Sequence, residues 1–124
     1  MLARAGERAK RDPVLRQKFA RIQIESEIIR LTAYRGLTVQ LRGQPPGPEG
    51  SIEKLFWSEM YQRQLEVMLE ALGPYSQLLP GDPRAVDDGR WPHLFLYSRG
   101  RTIAAGTSEV QRNIIAERVL GLPR

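Results

Sequence analysis

The sequence of 124 residues contains no cysteine and a single histidine, His93. The first absence excludes a disulfide framework and any thiolate metal site, and it suits a cytoplasmic protein. The second removes the histidine cluster of a metal centre, since a lone histidine is more often structural than a ligand. No metal is expected. Nothing in the chain approaches the roughly 20 continuous apolar residues that cross a bilayer. The basic N-terminus, Met1 to Pro13, lacks the apolar segment of a signal peptide. Dense runs of like charge are missing too. The net charge of +5 comes from basic residues spread between Arg4 and Arg124 and interleaved with Glu25, Glu27, Glu53, Glu59 and Glu66. Interleaved charge of this kind coats solvated helix faces and does not form a nucleic-acid surface.

What the chain does contain reads as helix. Hydrophobic residues make up 41% and charged residues 27%, the balance of a soluble domain of this size with one core. Asp12 is a good N-cap and Pro13 fits the first helical position. Leu15, Phe19, Ile22, Ser26, Ile29, Ala33, Leu37 and Leu41 then recur in steps of three and four along one stripe. Gly43 and the Pro45-Pro46-Gly47-Pro48 run stop this helix. Ser51 is expected to cap a second helix ending at Leu72, before Gly73-Pro74. Its apolar residues fall on several faces, so it is central in the fold or faces a partner. Residues 74–90 are rich in Pro, Gly and Asp and read as a loop, long enough to be a functional excursion or a mobile segment. Two further helices are expected, Trp91 to Ala104 and Ser108 to Leu120, with Gly121 as the final stop. Without alternating strand patterns, two antiparallel helix pairs give an all-α, up-and-down four-helix bundle.

Chemistry concentrates in Gly106-Thr107-Ser108-Glu109-Val110-Gln111. Ser108 and Gln111 have capping-box spacing, and Thr107 can cap from one residue earlier. Gly106 permits a positive φ or a close backbone approach. The free N–H groups of such a turn suit an anion or a polar cofactor group, although most turns of this composition are helix caps and nothing more.

The wider string, Arg101-Thr102-Ile103-Ala104-Ala105-Gly106-Thr107-Ser108-Glu109-Val110-Gln111-Arg112 and on through Asn113-Ile114-Ile115-Ala116-Glu117-Arg118-Val119-Leu120-Gly121-Leu122-Pro123-Arg124, resembles the closing signature of acyl-CoA dehydrogenases. Upstream, Arg16-Gln17 resembles the pair that opens a bundle helix after the family's flavin-contacting loop. Leu72-Gly73 resembles the end of a helix that usually closes on a Gly-Gly flavin contact, with Pro74 here replacing the second glycine.

This resemblance implies the C-terminal helical domain of an FAD-dependent oxidoreductase that removes hydrogens from Cα and Cβ of an acyl-CoA thioester. An electron-transfer flavoprotein would reoxidise the flavin. Residues 1–124 would form that domain alone, with the first bundle helix and the N-terminal and β-barrel domains lying outside the chain. By matching position, Thr107, Ser108 and Glu109 would contact FAD, and Gly106 would lie near the thioester. Arg16, Gln17 and Gly73 would contribute to FAD in a neighbouring subunit, so a homo- or hetero-oligomer is implied. Ala105 stands where many members carry the catalytic glutamate, and alanine accepts no proton. No catalytic residue is therefore expected, and the chain alone should be inactive. It would serve as a C-terminal domain or split subunit, or else as a non-enzymatic helical interaction module that has lost the flavin.

Overall fold

The computed structural model describes residues 2–123, with side chains from Gly6 onward; Arg124, the last residue of the family-like string, lies outside the described residues. Five α-helices follow one another: α1 (Leu2–Arg11), α2 (Pro13–Leu41), α3 (Gly50–Leu72), α4 (Arg90–Ser98) and α5 (Ser108–Ile114). Short 3-10 segments at Gly73–Gln77 and Arg99–Thr102 continue α3 and α4, and a π-helical segment at Ile115–Val119 continues α5. No strand occurs among the described residues, and none of their helices is long and apolar enough to cross a membrane.

The start of α2 follows its sequence closely. The Asp12 carboxylate accepts from the N–H groups of Val14 at 2.9 Å and Leu15 at 3.1 Å, while Pro13 occupies the first turn. Gly43, at φ +73°, lies just past the helix end. Other boundaries differ. Ser51 does not cap α3, which starts one residue earlier at Gly50 behind Glu49 and has no side-chain cap. The helix expected from Trp91 to Ala104 tightens into 3-10 geometry at Arg99. Helix α1 was not among the expected elements; its Ala, Glu, Lys and Arg are strong helix formers, and Ala9 packs against the core.

The core is gathered around one half of α3. Leu15, Phe19 and Ile22 of α2 pack with Leu65, Met68 and Ala71 of α3 and Trp91 of α4. Helix α3 touches α1, α2, α4 and α5, so its apolar residues on several faces mark the centre of the bundle. The stripe of α2 is buried only as far as Ile22. Ile29 and Ala33 are half-buried, and Leu37 and Leu41, at the distal end, are exposed. The loop over residues 74–90 is tied down: Trp91 Nε1 donates to Asp87 at 2.8 Å and Gly81 N–H donates to Asp88 at 3.0 Å.

Candidate functional site

The turn between α4 and α5 is held from two directions. Ala105 and Gly106 both have positive φ, +57° and +93°. Their carbonyls face the chain's own donors: Lys54 Nζ on α3 donates to the Gly106 oxygen, and Gln111 Nε2 donates to the Ala105 oxygen at 2.7 Å. A Cβ at Gly106 would lie 2.7 Å from the Gln111 amide and displace it from the Ala105 carbonyl, while the φ itself favours glycine. Thr107, not Ser108, is the N-cap of α5, its hydroxyl accepting from Val110 N–H at 3.3 Å. Gln111 spends its amide on the preceding carbonyl instead of closing a capping box.

With the carbonyl edge used internally, the donor edge is left over. Among the described residues, no group accepts from the N–H groups of Ala105, Gly106, Thr107 or Ser108. Ser108 is buried, Thr107 and Gly106 are half-buried, and Glu109 is exposed. The Glu109 carboxyl is held below the usual carboxylate range, first by its own backbone N–H and then by the Thr107 hydroxyl, with Arg112 and Lys54 adding attraction. It is an anion at neutral pH.

Beside the turn lies an open groove of about 420 Å³ between α3 and α5, to which Glu59, Gln62, Thr102, Ser108 and Arg112 contribute. Arg112 pairs with Glu59 across it. The lining is polar and charged, which suits a hydrated or polar group and not an acyl tail. Gln62 fastens the 3-10 segment to α3: its amide donates to Ser98 O and Thr102 Oγ1, both at 3.2 Å, and its carbonyl accepts from Arg99 at 3.0 Å. Lys54 and Gln62 went unnoticed in the sequence. Their partners, Gly106 and Ser98, lie 52 and 36 residues away along the chain, so no local pattern marks them.

The remaining candidates sit elsewhere. Arg16 and Gln17 are exposed near the start of α2, and Gly73 follows α3. Lys18 pairs with Glu70 at 2.7 Å, which fixes that region beside the C-terminal end of α3. Lys54, by contrast, marks the end of α3 that holds the Gly106 turn. The sixteen residues from Lys54 to Glu70 span about 24 Å of helix. The structure thus brings Gly106, Thr107, Ser108 and Glu109 together and keeps Arg16, Gln17 and Gly73 at the far end.

Among the described residues, no group of three or more His, Asp or Glu side chains is arranged to hold a metal ion.

Comparison with known proteins agrees with this architecture. A family profile described as the C-terminal domain of acyl-CoA dehydrogenase matches residues 2–120. Acyl-CoA dehydrogenase IpdE1 of Mycobacterium tuberculosis is 33% identical over 116 residues, covering 91% of this chain and 28% of the relative. Acyl-CoA dehydrogenase FadE26 of the same organism is 31% identical over 108 residues, covering 85% of this chain and 27% of the relative. Among solved structures, the ChsE4–ChsE5 complex from Mycobacterium tuberculosis matches with a TM-score of 0.85 and 26% identity, covering 99% of this chain and 35% of that one. A variant of the Tcur3481–Tcur3483 steroid ACAD matches with a TM-score of 0.84 and 25% identity, covering 94% of this chain and 30% of that one. The chain therefore spans under a third of its curated relatives' length. Matched along nearly its whole length by sequence and by fold, it belongs to the acyl-CoA dehydrogenase family and corresponds to that family's C-terminal helical domain.

Proposed function

We propose that this chain acts as the C-terminal domain or split subunit of an FAD-dependent acyl-CoA dehydrogenase, and that it works only together with the family's remaining domains. The observation that carries this reading is the donor edge of the Ala105–Ser108 turn, whose N–H groups meet no acceptor among the described residues. A flavin ring and a thioester carbonyl are rich in acceptors, so the residues present fit such groups. Thr107, Ser108 and Glu109 would hold the flavin, and Gly106 would lie beside the thioester. Arg16 and Gln17, at the opposite end of α3, would reach a flavin bound in a neighbouring subunit. When bound, FAD supplies the acceptor for the β-hydride, and an electron-transfer flavoprotein would take the electrons onward. The chain's own part is to position and to exclude water. Ala105 accepts no proton, so the base that removes the α-proton comes from outside these residues.

Oligomer formation follows from α2. Ile24, Ile28 and Leu31 are exposed along one face of its uncovered half, and another acyl-CoA dehydrogenase chain is the natural occupant under this reading. The cysteine-free composition suits a cytoplasmic setting for that complex. Ala105 also keeps alive a second reading, a helical interaction module without redox chemistry.

Co-expression with acyl-CoA dehydrogenase chains encoded nearby tests both. A yellow complex that reduces a dye in the presence of acyl-CoA supports the enzymatic reading. In that complex, Ala105→Glu places a carboxylate on the turn, and it is expected to shift the pH profile of dye reduction. A stable but colourless complex with no acyl-CoA-dependent reduction leaves the interaction module.

A further inference from the structure

The family's second flavin contact would fall at Gly73, and here the local chemistry disagrees with that role. Gly73 lies at the C-terminal end of α3, a helix of 23 residues whose exposed carbonyls give that end a negative character unfavourable to phosphate. Its N–H is already directed back to the carbonyls of Leu69 and Glu70. Pro74, the next residue, has no N–H to offer. At φ +61° the turn does need glycine, but the space above it is taken. Arg8 reaches over from α1, and its Nη1 donates to the Glu70 carbonyl at 2.8 Å. A Cβ built on Gly73 would lie 2.7 Å from that same nitrogen. Two nearby cations are engaged as well, Lys18 with the Glu70 carboxylate and Lys10 with Glu7.

We infer that Arg8 seals the Gly73 turn, so that in this chain the glycine makes room for an internal guanidinium cap and not for a nucleotide phosphate. Arg8 is a positioning residue under this reading. It neutralises the end of α3 and ties α1 to the bundle, while the donor edge at Ala105–Ser108 is left as this chain's contribution to a flavin. The inference rests on the flavoprotein reading only for the ligand it excludes; the cap itself stands without it.

The test uses the full chain with Arg8→Ala, Gly73→Ala and the double variant, followed by thermal unfolding and by amide NMR with added inorganic pyrophosphate. Gly73→Ala is expected to lower Tm by several degrees through its positive φ and by displacing Arg8 from the Glu70 carbonyl, and the double variant to lose less than the sum of the two, because that contact can be lost only once. Pyrophosphate should leave the Gly73 amide unmoved in the unaltered chain; a shift that emerges only in Arg8→Ala also supports the seal. Strictly additive losses overturn the inference. So does a saturable shift of the Gly73 amide in the unaltered chain that Arg8→Ala abolishes, because Arg8 would then be a phosphate ligand. Should Gly73→Ala fail to fold, the pyrophosphate arm on Arg8→Ala decides by itself. A colourless complex would sink the flavoprotein reading and leave these results untouched.

Discussion

The two ends of α3 are built with the same parts and put to opposite uses. At each end a glycine with positive φ makes a turn, and at each a cationic side chain donates to a backbone carbonyl: Arg8 to Glu70, Lys54 to Gly106. The Gly73 turn closes a helix, so its N–H points back into α3 and its outer surface is filled by a guanidinium. The Gly106 turn opens a helix, so its N–H groups meet no acceptor among the described residues. A glycine turn beside a basic residue is therefore no guide to anion binding until the direction of the adjoining helix is known.

The largest expected effect belongs to the half of the bundle that contains the core. Met68 is fully buried, and Met68→Ala should cost about 3 kcal/mol through lost contacts and the cavity left behind. Urea unfolding of the whole chain measures it. A loss equal to that of a surface substitution would mean that the Gly73 half is not the anchored one. Next comes Thr107→Ala, which removes the cap of α5 and should cost about 1 kcal/mol. Faster amide exchange is expected in Ser108–Ile114, with little change around Gly73. If exchange rises equally at both ends, the two turns are coupled and the contrast drawn between them fails.

The smallest effect concerns Glu109. Its folded-state pKa is lowered, so its contribution to stability is present above the ordinary carboxylate range and disappears as pH falls through the lowered value. The group is fully exposed, so the difference is slight. Stability curves of the unaltered chain and Glu109→Gln should separate near neutral pH and converge in acid; curves parallel at every pH would show that the Thr107 and backbone contacts do not hold the carboxylate.

Helix ends that are written in local chemistry could be read directly from the sequence. Asp12-Pro13, Gly43, Gly73 and Gly121 each act on their own neighbours, and the structure places α2, the end of α3 and the final stop accordingly. Leu15, Phe19 and Ile22 were legible as core for the same reason that the end of their stripe was not. Periodicity reports which face of α2 is apolar, but whether Leu37 meets a neighbour depends on where α3 and α4 run. In the site, Gly106–Glu109 was visible as a unit because it is contiguous. Lys54, Gln62 and Arg8 act over 30 or more residues of chain, a distance at which spacing carries no information. Ser108 and Thr107 were both candidate caps, and the extended backbone at Thr107 decides between them.

Lys54 and Glu70, which mark the two turns on α3, differ in angle as well as in height. Sixteen residues of α-helix leave them roughly 160° apart around the axis, so the turns emerge on nearly opposite sides of the bundle. A single residue gained or lost within α3 would swing one turn against the other by about 100° without altering any contact made locally at either. The length of α3 is thus a specification in its own right: it sets the phase between what the domain offers on one side and what it closes on the other.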